Sequence, residues 1–201
     1  MTIDTIKEIT TTLAKIREHR PCKRGWVKLD KSLGGIKSYG LHTPVKFSQI
    51  AESNGLDDAV WCLRSICPEH EKEVRLFAAD CAESVLHLYE KEHEDTRPRD
   101  AIQAARDFAN GLIGDDVRDA AWDAAGDAAW DVACSAAARV AARIAAGAAR
   151  IAAGAATCSA DGAARGAARA AACYSRDVGV DARDARDVRD VQVKMLIKRF
   201  G

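Results

Sequence analysis

Few aromatic residues, no net charge and no uninterrupted apolar run of membrane length set the first bounds on this 201-residue chain. Aromatics are 5% of the sequence, although apolar residues in all are 48%, enough to bury a core in one domain or in one domain with an appendage. Thirty basic and thirty acidic residues cancel, with pI near 6.9, so the chain lacks the global basic field that drives non-specific binding to nucleic acid or membranes. Direct nucleic-acid contact is therefore not expected. The seven cysteines (22, 62, 67, 81, 134, 158, 173) are odd in number, scattered and set in apolar helical patterns. That excludes a disulfide scaffold and predicts reduced thiols in a cytoplasmic setting. No basic stretch followed by an apolar one comes after Met1, so no secretory signal is expected.

Chemistry is equally sparse. No G-x-G-x-x-G or Walker pattern is present, and none of the histidines at 19, 42, 70, 87 and 93 stands in a motif with a nucleophile. No carboxylate pair is singled out. Cys62, Cys67, His70 and Cys81 have a metal-like flavour, but C-x4-C-x2-H is not a zinc spacing, and Cys62 and Cys81 fall in apolar stripes as small buried hydrophobes. The reading is of a non-enzyme with no cofactor and no metal.

What the chain does have is alanine. From Asp115 to Cys173 alanine is about half of all residues, with Asp115, Asp119, Asp123, Asp127 and Asp131 recurring every four residues and Trp122 and Trp130 eight apart. Residues four apart share a helix face, and alanine is the best helix former. Further on, Val140, Ile144, Gly147, Ile151, Gly154 and Cys158 make a heptad seam of alternating large and small residues, suited to close antiparallel packing. Residues 112–135 hold six aspartates and one arginine; residues 136–176 hold six arginines and one aspartate. The two regions are expected to neutralise each other across a hairpin, as solvated faces with weak pairs, or else to present an acidic face to a partner, for example as a mimic of nucleic acid. A membrane span is excluded, because Arg139, Arg143 and Arg150 interrupt the run and alanine adds little apolar area.

Elsewhere the pattern is helical and no strand is expected. Ile3, Ile6, Ile9, Leu13 and Ile16 predict a first amphipathic helix, and Lys23 to Leu33 a second that stops at Gly34-Gly35, before a loop through His42. Thr43-Pro44 reads as a helix start and Asn54-Gly55 as a stop; Leu56-Asp57-Asp58 opens a helix that ends at Cys67-Pro68. The most regular helix runs from Glu69 to about His93, residues 94–100 read as a loop, and Ala101 to Asn110 form a helix closed by Gly111, with Ile102, Ala105, Phe108 and Ala109 buried. A closing amphipathic helix from Asp181 to Phe200 is predicted to bury Ala185, Val188, Val191, Met195 and Leu196. The fold class is all-α: a multi-helix bundle with an alanine-rich, tightly packed antiparallel hairpin. Its expected parts are an N-terminal helical segment at 1–53, a core at 54–114, and the hairpin with the closing helix at 115–201.

The block Asn54-Gly55-Leu56-Asp57-Asp58-Ala59-Val60-Trp61-Cys62-Leu63-Arg64, with Arg75-Leu76-Phe77-Ala78-Ala79-Asp80-Cys81-Ala82-Glu83 and Arg97-Pro98-Arg99-Asp100-Ala101-Ile102, resembles a family of alanine-rich bacterial and phage immunity proteins with an Imm-5-like domain. The resemblance covers residues 54–135, and members often carry a Gly-Trp like Gly25-Trp26 upstream. It implies a role in conflict, protecting a bacterial cell from a toxin or a phage from host defence, and it brings no catalytic residues with it. On that footing the expected function is to bind and occlude a protein partner, a toxin or a defence component, through Asp119, Trp122, Asp123, Asp127, Trp130 and Asp131. The alternative is a sponge for a nucleotide signal, with Arg64, Arg75, Arg97 and Arg99 as an anion site. The seam glycines also suit homo-oligomerisation.

Overall fold

A run of three threonines meets a proline-bearing segment more than thirty residues later, and the pairing sets the N-terminal part of the fold. The computed structural model describes residues 8–66, 69–90, 94–121, 123–124 and 182–201. In it β1 (Thr10–Thr12) runs antiparallel to β2 (Pro44–Lys46), with Thr11 opposite Val45. This corrects two expectations, that the chain has no strand and that Thr43-Pro44 starts a helix. β-branched threonines suit a pleated, half-buried ribbon, and a proline is tolerated on an edge. Thr11 and Val45 both point inward and are buried. Ser65 donates to the Cys62 carbonyl (2.6 Å) and lies 2.6 Å from the Thr11 hydroxyl, which thereby becomes the donor to Ser65.

The first helix is consequently short. α1 (Leu13–Glu18) begins at Thr12, whose hydroxyl accepts from Lys15 N, and it buries Leu13 and Ile16. α2 (Lys23–Ser32) stops where expected, and the predicted loop beyond it contains one helical turn, α3 (Ile36–Tyr39). α4 (Phe47–Asn54) starts where Gln49 reaches back to Lys46 N at 2.9 Å, and ends at Gly55, whose φ of +95° a side chain would disfavour. α5 (Leu56–Cys62) follows at once, with Asp57 and Asp58 in its first turn, and tightens into a 3-10 turn at Leu63–Ser65.

α6 (Glu71–Glu90) and α7 (Arg97–Ala109) form the packed pair of the bundle. They are antiparallel: Arg75 near the start of α6 lies over Phe108 at the end of α7, and Glu90 at the end of α6 binds Arg99 at the start of α7. α7 starts inside the predicted 94–100 loop. Asp95 accepts from Arg97 N (3.0 Å), Pro98 sits in the first turn where no N–H is needed, and Asp100 faces the positive end of the helix.

α8 (Ala182–Phe200) closes the bundle across α4, α5 and α6. Its buried stripe is Gln192, Leu196 and Phe200; Leu196 is buried as predicted and Met195 packs partly covered against the core, whereas Val191 is exposed, which corrects the predicted face at that position. Phe200 fixes that rotation, since its ring lies 5.6 Å from Phe47 and 5.8 Å from Phe77. The expected hairpin seam at 140–158 lies outside the described residues. Within them the architecture is a multi-helix bundle with one two-stranded ribbon.

Charges lock the helices together. Asp80 on α6 accepts from Arg106 on α7 (3.0 Å) and from Arg199 on α8 (2.5 Å), and Arg189 reaches Asp57 on α5 at 3.0 Å. Arg106 also grips Glu83 at 2.6 Å, and this hydrogen bond holds the Glu83 carboxyl below its ordinary value of 4.5. A depressed carboxyl contributes stability above its unfolded value and loses it as pH falls through the folded one. Glu83→Gln should therefore cost about 0.5 kcal/mol near neutral pH, because the pair is half exposed. It should cost nothing at about pH 2, where the carboxyl is protonated in both states. Urea midpoints at the two pH values check this, and an equal cost at both would assign Glu83 a packing role instead.

Candidate partner-binding face

The acidic stretch begins where α7 ends. Gly111, with φ of +71°, turns the chain, and residues 115–121 are helical. Arg118, the one arginine in the Asp-rich run, points inward with 3% exposure. Its guanidinium lies 4.4 Å from the centre of the Phe108 ring and is held by Asp115 and by Asp119, the latter at 2.7 Å. This one buried cation anchors the helix to α7 and turns its neighbours outward. Asp115, Asp116, Asp119 and Asp123 are exposed, and among the described residues Asp116 and Asp123 form no ion pair. Beside them Leu112 is 72% exposed and Val117 50%, so the face combines uncovered apolar groups with carboxylates. The sequence pattern marked the acids but missed Leu112, Val117 and the pivot at Arg118. A lone arginine amid aspartates was the available signal. Trp122, Asp127, Trp130 and Asp131 lie outside the described residues.

The four arginines of the alternative anion site occupy different places. Arg75 is buried at the start of α6, ion-paired to Glu71 and 5.1 Å from the Phe108 ring, with Nη1 meeting no acceptor among the described residues. Arg97 and Arg99 sit at the far end of the helix pair, bound by Asp95 (2.7 Å) and Glu90 (2.6 Å). Fifteen residues of α6 separate Arg75 from Glu90, about 22 Å along the axis. Arg64 stacks 4.2 Å over Trp61 and donates to its carbonyl. The structure thus brings Arg97 and Arg99 to one end and Arg75 to the other.

Cys62 and Cys81 are buried in the core as small apolar groups. Burial, with the charge of Asp58, pushes the Cys62 thiol up to about 12, and burial pushes Cys81 higher still. Cys67 lies outside the described residues, and within them no group of three His, Cys, Asp or Glu is placed to hold a metal ion. No helix among them is long and apolar enough to cross a membrane.

A family model described as "Imm-5 like putative immunity protein" matches residues 64–194. The chain belongs to this family. The Imm-5-like span takes in α6, α7, the acidic face and most of α8, and it starts at the last residue of the block 54–64. Membership is consistent with a general immunity role. No curated protein and no solved structure matches the chain.

Proposed function

We propose that this Imm-5-like protein acts in the cytoplasm of a bacterial cell as a non-enzymatic inhibitor, binding and occluding a protein partner, a toxin or a component of host defence. The observation that carries the reading is the exposed face around 112–123, where Leu112 and Val117 stand uncovered among Asp116, Asp119 and Asp123. Apolar groups on such a face supply area to bury, while carboxylates steer and orient a basic partner. In the sequence the same four-residue aspartate period continues through Asp127 and Asp131, with Trp122 and Trp130 in the same stretch.

The test is native mass spectrometry of the protein purified gently from bacteria that carry active defence systems, in parallel with the double variant Asp116→Lys, Asp123→Lys, which spares the Asp119 that holds Arg118. A co-purified protein is expected with the parent and at least tenfold less with the variant, since reversing charges against a basic surface turns attraction into repulsion. Circular dichroism should show unchanged helicity. A complex that survives the reversal overturns this reading of the face. A released mass of a few hundred daltons, with no protein, would replace it with the nucleotide sponge.

A further inference from the structure

Between α1, α2, α4 and α5 lies a cavity of about 170 Å³, built wholly from residues 16–62 and so N-terminal to the family span. Its walls are apolar: Ile16, Leu29 and Ile50 line it together with the half-buried Trp26 and Trp61. An apolar cavity of about 150 Å³ is enough to take a benzene ring. One carboxylate, Asp58, lines this cavity, and no lysine, arginine or histidine does. Among the described residues no cation lies within ion-pair distance of Asp58.

The carboxylate is held in place. Asn54 donates one amide hydrogen to Asp58 Oδ2 (2.8 Å) and the other to the Gly25 carbonyl (2.9 Å), tying α4 and α5 to α2. A Cβ at position 25 would come within 2.9 Å of Asp58 Oδ2, so the glycine is what lets the carboxylate lie against α2. A carboxylate fixed at the wall of an apolar cavity, with no cation paired to it among the described residues, selects its occupant. An anion would be repelled, and a purely apolar guest would strip water from the charge with nothing in return. A cation on an apolar body answers both parts, and indole rings attract cations, as Arg64 over Trp61 already shows at 4.2 Å.

We propose that this cavity binds a small organic ammonium ion, with the charged group at Asp58 and the apolar body against the lining that includes Trp26 and Trp61. Two sources share that chemistry, a free aromatic amine and a lysine side chain of another protein. The site is separate from the acidic face, so its failure would leave the inhibitor reading standing, and the reverse.

Isothermal titration of the full chain with phenethylammonium, benzyl alcohol and benzoate tests it. The amine should bind about tenfold or more tighter than the alcohol, as expected for a charged hydrogen bond, and benzoate should not bind. Asp58→Asn, which keeps an oxygen for Asn54, should bring the amine down to the alcohol's affinity. Cys22 also lines the cavity and is exposed, so bound amine should slow its alkylation in the parent but not in Asp58→Asn, read by peptide mass spectrometry. Tighter binding of Nα-acetyl-lysine amide than of phenethylammonium would assign the site to a protein's lysine; the reverse order assigns it to a free amine. Equal affinity for all three probes, no binding of the amine, or unaltered Cys22 alkylation overturns the proposal.

Discussion

Phe200→Ala is expected to lower the melting temperature by about 10 °C, the largest effect of any single substitution in the closing helix. The ring is fully buried and touches Phe47 of α4 and Phe77 of α6, so it joins three helices that are far apart in the chain. Truncating a buried phenylalanine costs about 3–5 kcal/mol, and a chain of this size shifts by about 2–4 °C per kcal/mol. The loss also removes the group that sets the rotation of α8, which would release Gln192 from the core. That amide is fully buried and meets no partner among the described residues, so once the ring is gone α8 is held by Leu196, the partly covered Val193 and Met195, and its ion pairs. Phe200→Leu should recover more than half of the lost stability by refilling volume. Thermal melts followed by circular dichroism check both variants; a shift below about 2 °C for alanine would mean that α8 is not docked in solution.

Asp80→Ala should cost about 2 kcal/mol in urea unfolding, again through α8. Asp80 is the only carboxylate that the described contacts place between two helices' arginines, Arg106 of α7 and Arg199 of α8. All three side chains are about three-quarters buried, so the pairing is less screened than a surface bridge, and removing the acid leaves Arg199 with no acceptor among the described residues while Arg106 keeps Glu83. The two halves of the network can be separated by double-mutant cycles. Asp80 with Arg199 should show a coupling of about 1–2 kcal/mol, and Asp80 with Arg106 a smaller one, because Glu83 compensates. Additive effects in the Arg199 cycle would mean that the bridge contributes nothing to docking.

These two sites show where sequence reasoning stops. Asp80 lies within the regular helix predicted from Glu69, and Phe200 at the end of the amphipathic closing one. Helix spacing assigns a residue to a face of its own helix but says nothing about which foreign arginine or ring that face meets. The closing helix makes the point sharply. Its predicted stripe of Ala185, Val188, Val191, Met195 and Leu196 is right at Leu196, yet Val191 is exposed and the buried side contains Gln192, about 100° round from Val191, because contact with Phe47 and Phe77 outweighs the local pattern. The candidate face was half legible in the same way: the four-residue aspartate period was visible, but the inward Arg118 and the uncovered Leu112 and Val117 depend on how residues 115–121 sit against α7.

The sequence by itself determined the helical class, the stops at Gly55 and Gly111, the acid-led start of α5 and the inert character of Cys62 and Cys81. Each of these follows from propensity, capping or periodicity within one turn or two. Only the tertiary structure decided that Thr10–Thr12 leave the helical pattern to pair with Pro44–Lys46, that Asp80 joins three helices, and that Asp58 faces a cavity walled by Trp26 and Trp61. Those depend on partners tens of residues away, whose energies enter only once the chain has closed on itself.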